Sequence, residues 1–220
     1  MSGYRLLAVV AVEAEANAIG EFDGIDVVVA GIGRTNAAAA TVEALLERGP
    51  FDAVCSVGVA GALPASGLAI GDLALGRDAV YAEEGIETPE GVGDMTALGF
   101  PLGDFEGNRV PADPGLLEAL RPIVEEIGNG AVGSIATVAT CSGTDRRAAE
   151  VAGRTGALAE AMEGAAVLHA ARRRGVPAIE LRAISNTTGD RSRQRWDLPA
   201  AFESLRTVWP RIVSRLRRDG

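Results

Sequence analysis

Glu160-Ala161-Met162-Glu163-Gly164-Ala165-Ala166 and, about twenty residues on, Arg182-Ala183-Ile184-Ser185-Asn186 are the two stretches from which the architecture can be read. The first ends a short apolar strand in a Met-Glu pair and opens a helix of small residues. The second ends another apolar run, 178–184, in a Ser-Asn pair. Strands that deliver polar side chains at their carboxyl ends are how an open α/β sheet builds a ligand site. The residue types suit a nucleoside: Met offers a soft apolar wall for a sugar face, Glu accepts from ribose hydroxyls, and Asn holds a purine edge.

On either side the same alternation continues. Strands are predicted at 5–12, 25–30, 53–59, 72–80, 134–139, 156–161 and 177–185, and helices at 36–48, 114–127, 145–152, 162–174 and 199–217. The strands are near-continuous Val, Ile, Leu and Ala, as expected when both faces are covered. Pro114-Gly115 and Thr144-Asp145 suit helix starts, and Gly49 and Gly175 suit helix ends. Residues 82–110 are rich in Gly, Pro and acids with little periodicity, which predicts a variable lid or binding loop. With no internal repeat and no linker, residues 1–220 read as one domain.

At 220 residues and 47% hydrophobic composition, the chain can bury a large core. A net charge of −9 argues against nucleic acid and anionic membrane as partners. No apolar run reaches the roughly 18–20 residues that span a bilayer, and Met1-Ser2-Gly3-Tyr4-Arg5 leads straight into a strand-like run. Cys55 and Cys141 lack metal-ligand spacing and cannot form a disulfide framework. The expectation is a cytoplasmic protein with neither metal nor cofactor.

Ala30-Gly31-Ile32-Gly33-Arg34-Thr35-Asn36 follows a strand and opens a helix. Asn36 replaces the third glycine of a dinucleotide fingerprint, and no acid ends the next strand. The segment therefore reads as a tight turn whose backbone, at Gly33, lies near a ligand. Ser56-Val57-Gly58-Val59-Ala60-Gly61 is a second glycine-rich strand end. One glycine there answers to a turn, whereas two glycines around Ala60 suit close approach of a ligand, and no hydroxyl or base is at hand for phosphate. Glu13 and Glu15 follow the first strand, placed either to complement a helix dipole or to supply a catalytic base. His169, the only histidine, reads as a packing or surface residue, which makes a His-dependent triad or zinc site improbable. Arg172-Arg173-Arg174 reads as a solvated helix end. In 190–197 the arginines either meet an anionic part of a ligand or form a charged loop.

Taken in order, Ala11-Val12-Glu13-Ala14-Glu15, Gly31–Asn36, Gly58–Gly61, Ala161–Ala166 and Arg182–Asn186 resemble the purine nucleosidase and nucleoside phosphorylase superfamily. They are most similar to its branch of methylthioadenosine/S-adenosylhomocysteine nucleosidases and futalosine hydrolases. The resemblance runs from Leu6 to about Leu216 and is weakest over 83–113. It implies a single-domain, three-layer α/β fold with a central, mostly parallel mixed sheet flanked by helices, and a homodimer. By motif it also implies that Glu15 activates the attacking water, that Met162 and Glu163 hold the ribose, and that Ser185 and Asn186 manage the purine. Backbone near Ala60 and Gly61 would line the site. Cleaving an N-glycosidic bond passes through an oxocarbenium-like sugar, which calls for a positioned water, a base, and negative charge beside the ring.

Two departures bear on substrate. Adenine-specific members carry Asp where this chain has Asn186, and an amide is no proton donor of that kind; its NH₂ instead suits the paired acceptors of a 6-oxopurine. Cys141 stands near where that branch carries a base-stacking Phe. The expected reaction is hydrolysis of futalosine, an inosine-like nucleoside with a carboxyphenyl group on its sugar side chain. Arg191, Arg193 and Trp196 resemble the pattern downstream in that branch, and Arg191 and Arg193 are expected to bind substrate. Methylthioadenosine/S-adenosylhomocysteine nucleosidase activity, or nucleoside binding without catalysis, is the alternative.

Overall fold

The computed structural model describes residues 3–127 and 130–219. In chain order the elements are β1 (Leu6–Val10), α1 (Glu13–Ile19), β2 (Ile25–Val29), α2 (Arg34–Glu47), β3 (Ala53–Ala62), β4 (Leu73–Tyr81), β5 (Ile86–Thr88) and β6 (Gly91–Gly93). There follow α3 (Met95–Leu98), β7 (Arg109–Pro111), α4 (Pro114–Glu126), β8 (Ala131–Thr137), α5 (Asp145–Thr155), β9 (Ala159–Ala161), α6 (Gly164–Arg173), β10 (Ala178–Thr187) and α7 (Leu198–Asp219).

A mixed sheet forms the centre of this α/β domain. β1 pairs in parallel with β2 and β3, β3 with β10, and β8 with both β4 and β9. β10–β4, β9–β3 and β7–β4 run antiparallel. The predicted open sheet needs one amendment: β3 pairs with both β9 and β10, so β3, β10, β4, β8 and β9 close into a ring, with β1 and β2 as its extension. β3 manages this by its length. Its first half lies between β1 and β10, its second between β9 and β10.

Helices cover the outside, α2 against α6 and α7 against α1, α4 and β10. Local chemistry sets their ends. Asp113 caps α4 through the Leu116 amide at 3.0 Å with Pro114 in the first turn. Thr144 caps α5, and Gly156 at φ 63° stops it. That stop shortens β9 to three residues, against the six of the predicted strand. α6 begins at Gly164 instead of residue 162, with Glu163 at its N-cap. Residues 82–110 are more than a loop. They hold the β5–β6 hairpin, α3 capped by Asp94, and β7 on the edge of β4. His169 packs here, edge-on to Phe105 at 5.0 Å, with Tyr81 Oη 3.3 Å from its Nδ1. No helix among the described residues is long and apolar enough to cross a membrane.

Candidate active site

The carboxyl ends of β1, β3 and β10 meet at a set of buried charges. Glu15, in the first turn of α1, is 3% exposed, whereas Glu13 one residue pair earlier faces solvent. Its Oε2 accepts from the amides of Ala11 at 2.8 Å and Val12 at 3.3 Å, and its Oε1 from the Val59 amide at 2.9 Å. The helix start alone accounts for the Val12 bond. The Val59 bond, across 44 residues, draws the carboxylate over β3 into the space that Gly58 leaves open. A methyl group at Gly58 would overlap Glu15 Oε1 and lie 2.7 Å from Arg182 Nη1. Glu15 and Arg182 thus share one glycine-shaped niche.

Arg182 is the residue that motif reading under-used. It is 1% exposed, in the middle of an apolar strand. Its Nε donates to Glu180 Oε1 at 2.8 Å, its Nη2 donates to Ser56 Oγ at 2.9 Å, and Nη2 lies 3.6 Å from Glu163 Oε2. A charge within a Val/Ile/Leu run was the available signal, since an unpaired guanidinium there would be prohibitively costly. Glu180, two residues earlier on the same strand face, is fully buried and sits over Gly164, where any side chain would overlap its carboxyl. Its Oε2 has no partner. Burial pushes its pKa above the usual carboxylate range, outweighing the pull of Arg182, while the surrounding carboxylates hold Arg182 charged.

Glu163 stands where two helices begin. It is the N-cap of α6, and its Oε1 accepts from the amide of Gly33, the N-cap of α2, at 2.9 Å. Both helix dipoles favour negative charge there. Each carboxylate oxygen keeps a lone pair for another donor. Two residues before Met162, buried Glu160 accepts from the amide and hydroxyl of Ser142 at 2.7 and 2.6 Å, fixing the 140–143 loop beside the site.

Farther along β10 lies the Ser-Asn pair. A register shift between Ile184 and Asn186 sets Asn186 against Gly61, and such bulges re-aim side chains beside sites. The missing side chain of Gly61 admits the amide, since a methyl there would sit 2.8 Å from Asn186 Nδ2. Ser185 Oγ lies 2.8 Å from Asn186 Oδ1 and 3.2 Å from the Ala60 carbonyl, and Asn186 Nδ2 donates to the Thr187 carbonyl at 3.0 Å. One amide N–H is left over. Of the two downstream arginines, Arg193 is bound to Asp145 and, at 2.5 Å, to Asp190. Arg191 lies over the Trp196 ring, 4.8 Å from its centroid.

Paired carboxylates around one buried guanidinium, with an amide a few residues off at the ends of parallel strands, define an α/β enzyme with a polar small-molecule site. Comparison with known proteins narrows this. The model of the phosphorylase superfamily matches residues 15–216, and the chain belongs to that superfamily. A futalosine hydrolase from Streptomyces coelicolor is 39% identical over 188 residues, 83% of this chain and 76% of that protein. A 5'-methylthioadenosine/S-adenosylhomocysteine nucleosidase from Geobacillus thermodenitrificans is 32% identical over 79% of this chain and 72% of its own length. The S-adenosylhomocysteine nucleosidase of Streptococcus pyogenes, solved with 5-methylthiotubericidin, superposes with a TM-score of 0.74 at 26% identity. It covers 99% of this chain and 96% of its own.

Proposed function

We propose that this chain hydrolyses the N-glycosidic bond of futalosine, releasing hypoxanthine and dehypoxanthinylfutalosine in menaquinone biosynthesis. The observation that carries the reading is Asn186, an amide held on one side by Ser185 and Thr187 with an N–H to spare. That N–H donates to a 6-oxopurine, whose ring-nitrogen and carbonyl acceptors lie side by side. The higher identity to a futalosine hydrolase than to the adenine-directed nucleosidase supports the same choice.

In this mechanism the C1′–N9 bond breaks first. Glu163 grips the ribose hydroxyls and, with Met162 against the sugar, sets negative charge beside the developing oxocarbenium ion. A water held by Glu15 adds its oxygen to C1′ and passes its proton to that carboxylate. Arg182, between the two carboxylates, keeps both in place. The departing purine anion is stabilised by the Asn186 N–H, with Ser185 behind it and the backbone of Gly33, Ala60 and Gly61 lining the pocket. It leaves as hypoxanthine on taking a proton from solvent, to which Glu15 returns the one received from the water. Phosphorolysis is disfavoured because the Val59 amide is already taken by a carboxylate, which repels a phosphate nucleophile. The chemistry requires no cofactor. A homodimer and a cytoplasmic location belong to the same reading.

The deciding test incubates the protein in phosphate-free buffer with futalosine, aminodeoxyfutalosine, inosine and methylthioadenosine, and identifies the released base. Futalosine is expected to be cleaved far faster than its 6-amino counterpart, because mismatch strands buried polar groups. Equal kcat/KM for the two removes the basis of the reading.

A further inference from the structure

We infer that Arg191 and Trp196 form a preassembled subsite for an aryl carboxylate, and that Arg193, its neighbour in the same loop, is a structural staple. This rests on the futalosine reading, whose substrate carries such a group.

The loop after β10 is tied to the start of α5 by a reciprocal pair: the Asp145 amide donates to Asp190 Oδ1 and the Asp190 amide to Asp145 Oδ1, both at 2.9 Å. Arg193 closes that pair by binding both carboxylates. Its charge is spent. Arg191 differs in having no carboxylate partner among the described residues. Its Nη1 donates to Gln194 Oε1 at 2.8 Å, and the same oxygen accepts from Trp196 Nε1 at 3.0 Å. Gln194 therefore aligns the guanidinium with the indole, and Arg191 stacks on it. Through its own Nε2, Gln194 is anchored to the carbonyls of Ser142 and Gly189.

The cluster lies beside the nucleoside site. Trp196 bridges to Asn186 as an isolated antiparallel pair. The Arg191 amide donates to the Gly143 carbonyl at 3.0 Å, in the same loop whose Ser142 is held by Glu160 beside the site. Trp196 is 49% exposed although it is large and aromatic. A half-bare indole with a cation on it, four free N–H groups and no anion matches a benzoate in both its parts, a ring to stack and a carboxylate to pair. Arg195 is in the same loop and likewise has no acidic partner among the described residues, but its side chain is not one of the two donors to Gln194 Oε1.

The test measures kcat and KM for futalosine and for its methyl ester, which keeps the ring and loses the charge. Arg191→Gln is expected to raise KM for futalosine about ten- to a hundredfold, the usual worth of a charge-assisted pair. The ester is expected to be unaffected, with kcat nearly unchanged for both. Arg195→Gln controls for loss of surface charge and should leave the futalosine-to-ester ratio as in the parent. If Arg191→Gln preserves that ratio, or if Arg195→Gln shifts it equally, the subsite is refuted. Parent protein that cleaves neither compound overturns the futalosine reading itself, a distinct outcome.

Discussion

Gly58→Ala is the substitution that tests the shared niche most directly. Its backbone is not in the left-handed region, so alanine meets no conformational penalty there. The new methyl would lie 2.7 Å from both Glu15 Cδ and Arg182 Nη1, against 3.4 Å for ordinary contact. The Arg182 guanidinium must retreat by about 0.7 Å, and the Glu15 carboxylate, whose Oε1 the methyl would overlap, by more. Overpacking of this kind costs about 1–3 kcal/mol, or about 2–4 °C in Tm per kcal/mol at this chain length. The larger effect falls on chemistry. Glu15 leaves the Val59 amide, and a displacement approaching 1 Å at a reacting group costs about a hundredfold in rate. Stopped hydrolysis assays with base detection should therefore show kcat down about 30- to 100-fold while KM moves less than about threefold. Thermal melts on the same sample establish that the protein is folded. A folded Gly58→Ala with parental kcat would mean that neither Glu15 nor Arg182 works from this niche.

Glu15→Gln should abolish turnover while isothermal titration still detects futalosine; Glu13→Gln, at an exposed position, should be mild, and a normal kcat in the first would show the base to lie elsewhere. Glu163→Gln keeps shape but removes charge, so kcat should fall by about one to three powers of ten and more than binding weakens; a change in KM alone would reduce Glu163 to a sugar holder. Glu180 has a folded-state pKa raised by burial, so its protonation stabilises the fold below the unfolded value near 4.5 and that stability is lost as pH climbs through the folded value. Glu180→Gln, which does not titrate, should gain Tm relative to the parent between pH 4 and pH 8, and a constant difference across that range would contradict the burial argument.

The alternation of apolar runs and helical patterns made the α/β class legible, because strand and helix leave local signatures. Element ends were less so. Gly156 was visible as a glycine, yet its part in stopping α5 and shortening β9 depends on a left-handed turn. Residues 82–110 escaped prediction because three-residue strands are too short to show a period of two, and β7 exists only by pairing with β4. Ring closure is wholly non-local. In the site, Glu15, Glu163 and Asn186 stood out as polar residues ending apolar runs. Glu180 and Arg182 did not, although their spacing of two on one strand face was in plain view. Which downstream arginine has an idle charge could be learned only from Asp145, 48 residues before Arg193.

The long-range pairing of β3 with β10 also has a temporal consequence. A ribosome adds about 5–20 residues per second, so β3 is complete several seconds before Ala178, the partner of Val54, has been made. Over that interval a strand that ends buried is uncovered along one side. Glu15 is already present, and Glu163 follows, before Arg182, the guanidinium that lies among them, arrives on β10. Nascent chains stopped short of residue 182 carry the acids without their counter-charge, so the site can be assembled only after β10 has been made.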